Sequence, residues 1–202
     1  GVGGRDLKPE VGGISTLMAI DALDADPMTK HIVLISKPPP ADIASKVLDR
    51  IAVSEKPATV CFIGAEALPM PENATQVFTL KAAACAAMGL PTDELAAPDT
   101  VIRAPAGRSL IQGLFSGGTL CAEAQVLCRA ADQAVRSNAP IPSVPNFTEA
   151  NGGHPILDLG DDEYTQGKPH PMIDPTVRDN TIIASLRDKN VGVILIDVVI
   201  GY

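Results

Sequence analysis

The sequence has no tryptophan, and aromatic residues fill only 3% of its 202 positions. Hydrophobic residues still make up 46%, so the core has to be aliphatic and alanine-rich. Such a core suits helices packed closely on a parallel sheet better than a sandwich with aromatic anchors. There is no Cys-x-x-C pair. Cys61, Cys85, Cys121 and Cys128 stand in apolar surroundings, the last two on one face of a predicted helix. Buried thiols in a reducing, cytoplasmic setting are expected ahead of disulfides or a metal site. No apolar run reaches the roughly 18 residues of a membrane span, so no membrane partner is expected. Basic runs and aromatic–basic alternation are missing too. Lys and Arg number 16 against 24 Asp and Glu, a net charge of −8. That balance repels a phosphate backbone and argues against nucleic acid. A local anion site stays open, because backbone amides can build one without net positive charge.

What is present is an alternation of short apolar runs with amphipathic stretches, the signature of a parallel α/β domain. After Val11-Gly-Gly, the residues Ile14, Leu17, Met18 and Leu23 recur at helical spacing, and Asp26-Pro27 stops the helix. Ile32–Ser36 reads as a strand buried on both faces. Asp42 opens a helix whose stripe is Ile43, Val47, Leu48 and Ile51. Ala58–Ile63 and Gln76–Phe78 read as strands. Leu80–Met88 reads as a helix with Thr79 as N-cap and Gly89 as its stop.

Residues 91–108 are rich in Pro and Ala without periodicity and read as a linker, so residues 1–90 and 109–202 are expected to form two domains. In the second, a helix is expected from about Thr119 to Val135, and a loop over 137–155. Strands are expected over Ile156–Leu159 and Val193–Ile200, the second after a helix faced by Ile182, Ile183 and Leu186 and capped by Asp174 before Pro175. Val2 through Ser36 is paralleled by Leu159 through Asp197, the net four extra residues of the second copy being placed in the loop Tyr164–Pro171. A ligand cleft between two such copies is the expectation. The chain opens on a loop with no preceding strand and closes at a strand tip, so a fragment of a longer protein is expected.

The centre of the second half is Gly113–Ala124: the end of a buried strand, the turn Gly117-Gly118, and a helix that Ser116 or Thr119 could cap. A glycine turn into a helix N-terminus presents free N–H groups and partial positive charge, which suits a phosphate or carboxylate. A plain strand-to-helix turn is the competing account. Gly12-Gly13 before Ser15 is a second turn of this kind.

Ser116-Gly-Gly-Thr-Leu-x-x-Glu123-Ala, Ile156-Leu-Asp-Leu-Gly-Asp-Asp162 and His170-Pro-Met-Ile-Asp-Pro-Thr-x-Arg178 closely resemble the FdrA family. The opening Gly-Val-Gly-Gly-Arg-Asp-Leu and Val11-Gly-Gly-Ile-Ser-Thr-Leu are similar to it as well. That family is related to the α and β subunits of succinyl-CoA synthetase. The resemblance implies two tandem flavodoxin-like domains, α-like then β-like, preceded in the family by a CoA-binding-like domain that these residues do not include. It implies a subunit that, with other subunits, acts as an oxamate carbamoyltransferase in anaerobic allantoin breakdown, taking oxalurate and phosphate to oxamate and carbamoyl phosphate. An acyl-CoA synthetase using CoA and ATP, and a non-catalytic assembly subunit, are the other readings. The synthetase α subunit carries a phosphorylated His in a Gly-His-Ala-Gly loop. Here Gly64 runs through Ala65–Asn73 directly to Val77 without it, and none of His31, His154 or His170 replaces it. In the related synthetase the phosphate-facing helices start after segments outside these residues, so the chain is expected to frame its active site without holding most of it.

Carbamoyl transfer needs donors that neutralise phosphate and polarise a carbonyl, plus orientation. The amides of Ser116, Gly117, Gly118 and Thr119 could supply the donors, with Gly12, Gly13 and Ser15 as a second set. Arg178 could grip a carboxylate or phosphate, and His170 could donate a hydrogen bond or move a proton. Against these stand bland roles: bracing a rigid loop for His170, and a one-turn pair with Asp174 for Arg178. Asp158, Asp161, Asp162 and Glu163 could hold a cation but read better as solvated loop carboxylates, and no metal is expected. Phosphate or carbamoyl phosphate is the expected ligand, and an oligomer with other subunits the expected assembly.

Overall fold

A computed structural model describes residues 2, 5–91, 103–149 and 151–199. The chain is α/β and divides into two compact units, Gly1–Ala97 and Pro98–Tyr202. Most of the stretch read as a linker lies outside the described residues. Among those described, no helix is long and apolar enough to cross a membrane.

The first unit runs α1 (Ile14–Ala25), β1 (Ile32–Ser36), α2 (Ala41–Ala52), β2 (Ala58–Phe62), β3 (Ala74–Gln76) and α3 (Leu80–Met88). Its three strands are parallel in the order β1-β2-β3. β2 is central and buried at every position. The α2 stripe faces inward as its spacing predicts, with Ile43, Val47, Leu48 and Ile51 all buried. Val47 and Ile51 are fully enclosed, each worth about 1.5–3 kcal/mol of transfer free energy. Thr79 caps α3 by accepting from the Ala82 N–H, and Gly89 ends it in the left-handed region. Asp26 ends α1. β3 lies two residues before its predicted place.

α1 departs from its predicted face. Thr16 and Ile20 are buried, whereas Ile14, Met18 and Leu23 are exposed. The helix is apolar nearly all round, so periodicity alone could not choose the side that meets the sheet. His31 hydrogen-bonds through Nε2 to the Thr59 hydroxyl at 2.8 Å, a structural contact.

The second unit runs β4 (Leu110–Phe115), α4 (Gly118–Ala130), β5 (Val135–Arg136), β6 (His154–Asp158), α5 (Asp162–Thr165), α6 (Thr176–Arg187) and β7 (Val191–Ile196). The parallel order is β5-β6-β4-β7. α4 ends five residues before its predicted limit. Asp132, at φ 57, turns the chain out of the helix, and Val135 belongs to β5. The short α5 falls in a polar stretch whose sequence predicts a loop. β7 closes at Ile196, so Asp197 stands at its carboxyl end. On α6, Ile182 packs against the core while Ile183 and Leu186 are exposed. The core gathers Leu114, Leu157 and Leu159, with Phe147, Tyr164 and Ile194 against it. None of the four cysteines is in a disulfide, and Cys61, Cys85 and Cys121 are buried. Burial pushes the Cys128 thiol above its ordinary pKa.

Candidate functional site

β4 pairs in register with β6 and β7, Phe115 opposite Asp158 and Leu114 opposite Ile196. The residues after the three strands therefore share one edge of the sheet: Ser116, Gly160 and Asp197. In open parallel sheets this carboxyl edge is where ligands are held.

Ser116 is buried, and its N–H donates to both carboxylate oxygens of Asp197, at 2.8 and 3.0 Å. Arg178 reaches in from the first turns of α6. Its Nη1 donates to the Ser116 hydroxyl at 2.8 Å, to the Asp197 carbonyl at 3.0 Å and to Asp197 Oδ1 at 3.3 Å. The Asp197 side chain is 3% exposed and that of Arg178 19%. The Arg178 Nε is buried with no hydrogen-bond partner. The one-turn pairing of Arg178 with Asp174 does not form. Asp174 instead accepts from the Thr176 N–H and hydroxyl at the start of α6. Those bonds, the hydroxyl's first, hold its carboxyl below the ordinary range.

Neither Ser116 nor Thr119 caps α4. The N-cap is Gly117, extended and without a side-chain cap bond. The Ser116 hydroxyl is taken by Arg178, and Thr119 lies within the first turn. The first amide bonded back along the chain is that of Cys121, to the Gly117 carbonyl. Among the described residues, the N–H groups of Gly118, Thr119 and Leu120 have no acceptor. They carry the helix's partial positive charge.

His170 comes to the same turn. A β-carbon on Gly160 would lie 2.3 Å from the Ser116 carbonyl oxygen and 2.5 Å from His170 Nε2. The imidazole thus packs where only glycine leaves room, next to Ser116. Its Nδ1 accepts from the Met172 N–H at 3.2 Å, so in the neutral ring Nε2 carries the proton.

The acidic cluster separates. Asp158 is buried and accepts from the Gly160 N–H, its backbone paired to Asn138 on both sides. Asp161 caps α5 through the Glu163 N–H. Only Asp162 and Glu163 match the solvated reading. No three His, Cys, Asp or Glu side chains among the described residues converge as a metal site.

In the first unit, Gly12 and Gly13 have φ of 71° and 77°. The donors that follow are already used. Asp6 accepts from the Ser15 N–H and the Thr16 N–H, each at 2.8 Å, and from the Thr16 hydroxyl at 2.6 Å. Burial alone would raise the Asp6 pKa. The Thr16 hydroxyl and the two amides outweigh it and hold the carboxyl below the ordinary range. An external anion at Gly12-Gly13-Ser15 would have to displace this carboxylate.

The structure therefore brings Ser116, Gly117, Gly118, Thr119, His170 and Arg178 to one edge and leaves Gly12, Gly13 and Ser15 in the other unit. Sequence reasoning missed Asp197, Gly160 and Asp6 as participants. One signal was available for Asp197: it is the only charged residue in the apolar run Val191–Ile200.

Comparison with known proteins gives two findings. Residues 114–202 match the family described as CoA-ligase. The chain is also 40% identical over 216 aligned positions to "Uncharacterized protein YahF" of Escherichia coli strain K12, covering 100% of this chain and 42% of that protein. The chain thus spans about two-fifths of the relative's length.

Proposed function

We propose, from the CoA-ligase match over the second unit, that this chain is the phosphate-handling part of a CoA-ligase-like enzyme and seats a phosphoryl group at the N-terminus of α4. The observation that carries this is the row of unpaired amides at Gly118, Thr119 and Leu120, set at the carboxyl edge of the sheet with His170 and Arg178 alongside. Three aligned N–H groups and the helix dipole stabilise an oxyanion without a net positive surface. Phosphate, or the phosphate end of an acyl or carbamoyl phosphate, is the fitting ligand. His170 Nε2–H is the group available to donate to it or to pass it a proton. In this reading, an acid is activated as its acyl phosphate and passed to CoA, ATP supplying the phosphoryl group.

A second reading uses the same anion seat. The segment between β2 and β3, Ile63–Asn73, contains no histidine, so this chain offers no phosphohistidine carrier there. Carbamoyl transfer between oxalurate and phosphate needs no carrier. It is supported by that lack and by the FdrA resemblance. In either case further subunits of one complex are part of the proposal.

The test uses the full-length protein purified with its native partners. Oxalurate and phosphate are supplied in one arm, and an acid with CoA and ATP in the other, and products are read by mass spectrometry. Oxamate with carbamoyl phosphate supports carbamoyl transfer, and a CoA thioester with ADP and phosphate supports the ligase. Inorganic phosphate that neither binds nor protects the α4 amides from hydrogen exchange would sink both.

A further inference from the structure

Resting on the reading of the α4 turn as an anion seat, we propose that Asp197 is its positioning residue: it ties Arg178 and the Ser116 turn into one geometry and directs the anion onto the α4 amides. Three elements meet at this carboxylate. Ser116 belongs to the β4–α4 turn, Arg178 to α6, and Asp197 to the end of β7. Asp197 bonds both others through its side chain, as Arg178 does, but Asp197 is the one that holds the backbone N–H of the turn, and its carbonyl adds a further bond to Arg178.

Two consequences follow from the geometry. First, the Asp197 carboxylate holds the last amide before the turn and leaves the helical amides beyond it. Its Oδ2 lies 3.9 Å from where a Gly117 β-carbon would stand, so it borders the seat without covering it. An incoming anion therefore meets Gly118, Thr119 and Leu120 rather than Ser116. Second, a carboxylate bordering an anion seat would repel its ligand. The Arg178 guanidinium, bonded to it and largely buried, offsets that charge. Arg178 thereby acts mainly through Asp197 and Ser116, its Nη1 being held by acceptors on two different elements.

The pair makes a double-mutant cycle informative. The measurement is inorganic phosphate binding to the full-length protein by calorimetry, with hydrogen exchange at the Ser116 amide in the same samples. Asp197→Asn keeps an acceptor and the side-chain volume but loses the charge and one arm of the tether. Although it uncovers the Arg178 charge, the loss of the turn's geometry is expected to weaken phosphate binding about tenfold and to speed Ser116 exchange. Arg178→Gln leaves the Asp197 charge unpaired beside the seat and is expected to weaken binding at least as much. The double variant is expected to lose less than the product of the two single losses, because each single variant already breaks the same tether of the Ser116 turn. A merely structural role for Asp197 would lower stability without that coupling.

Phosphate binding that is unchanged or tighter in Asp197→Asn, or losses that simply multiply, would overturn the proposal. If the wild-type protein binds no phosphate, the anion-seat reading itself fails. The tether is then judged by Ser116 exchange alone: faster in Asp197→Asn upholds it, and unchanged exchange overturns it.

Discussion

The two units solve the same local problem differently. Each enters a helix through paired glycines, and each places an aspartate from outside the helix against the turn. In the first unit the carboxylate of Asp6 sits on the helix itself, taking the Ser15 and Thr16 amides and the Thr16 hydroxyl. In the second the carboxylate of Asp197 stops at Ser116, before the helix begins, and turns its other contacts to Arg178. One N-terminus is closed by the protein's own anion, and the other keeps its first three amides open. A glycine turn before a helix is therefore no ligand site by itself. What decides is where the nearest carboxylate lands.

The largest expected effect that sharpens this contrast is at Gly160. Gly160→Ala puts a methyl against the Ser116 carbonyl and the His170 ring. Overpacking of this kind costs about 1–3 kcal/mol. Hydrogen exchange on the whole chain should show the loss in the second unit and leave β2 of the first unchanged. Its counterpart is Gly13→Ala. There the contacts are ordinary, with the nearest atom at 3.5 Å, but φ is 77°. The left-handed backbone costs a β-carbon about 1–2 kcal/mol, and the loss should appear in the first unit alone.

Next is Asp6→Ala, which removes the intrinsic anion. Loss of a capping carboxylate costs about 1 kcal/mol. More tellingly, phosphate should now slow exchange at the Ser15 and Thr16 amides, which it leaves alone in the wild type. Absence of that new protection would break the equivalence drawn between the two turns.

Acid should separate the units in the same sense. The Asp6 pKa is lowered in the folded state. Its contribution is present above the ordinary carboxylate value near pH 4 and is lost as pH falls through the lower folded value. An acid titration followed by exchange at α1 should show that loss, and Asp6→Asn should flatten it. The smallest expected effect is Asp174→Ala. It removes the bonds to Thr176 at an exposed helix start and should raise exchange only in the first turn of α6.

Much of this architecture was legible beforehand because it is written at short range. The α2 stripe works because residues one turn apart share a face and the opposite side is polar. Thr79 and Gly89 bound α3 through contacts a few residues long. The Gly117-Gly118 turn marked the start of α4 for the same reason. The α1 face was not legible, because a helix apolar on nearly every side carries no orientation signal. The limits of β7 were not legible either, because Val198 and Val199 continue the apolar run past the last paired residue. The Arg178–Asp174 pair was the natural guess at one helical turn, and a longer-range partner won.

The sequence by itself determined the alternation of strands and helices, the parallel α/β class, the aliphatic core and the presence of two glycine turns able to start a helix. Periodicity, caps and turns are local and need no partner to be read. Only the tertiary structure decided that β4, β6 and β7 end side by side, that Arg178 and Asp197 meet over Ser116, and that Asp6 closes one turn while the other stays open. Those outcomes depend on strand order, which brings together residues as distant as Ser116 and Asp197, 81 positions apart. No local pattern encodes where a strand from far along the chain will come to rest.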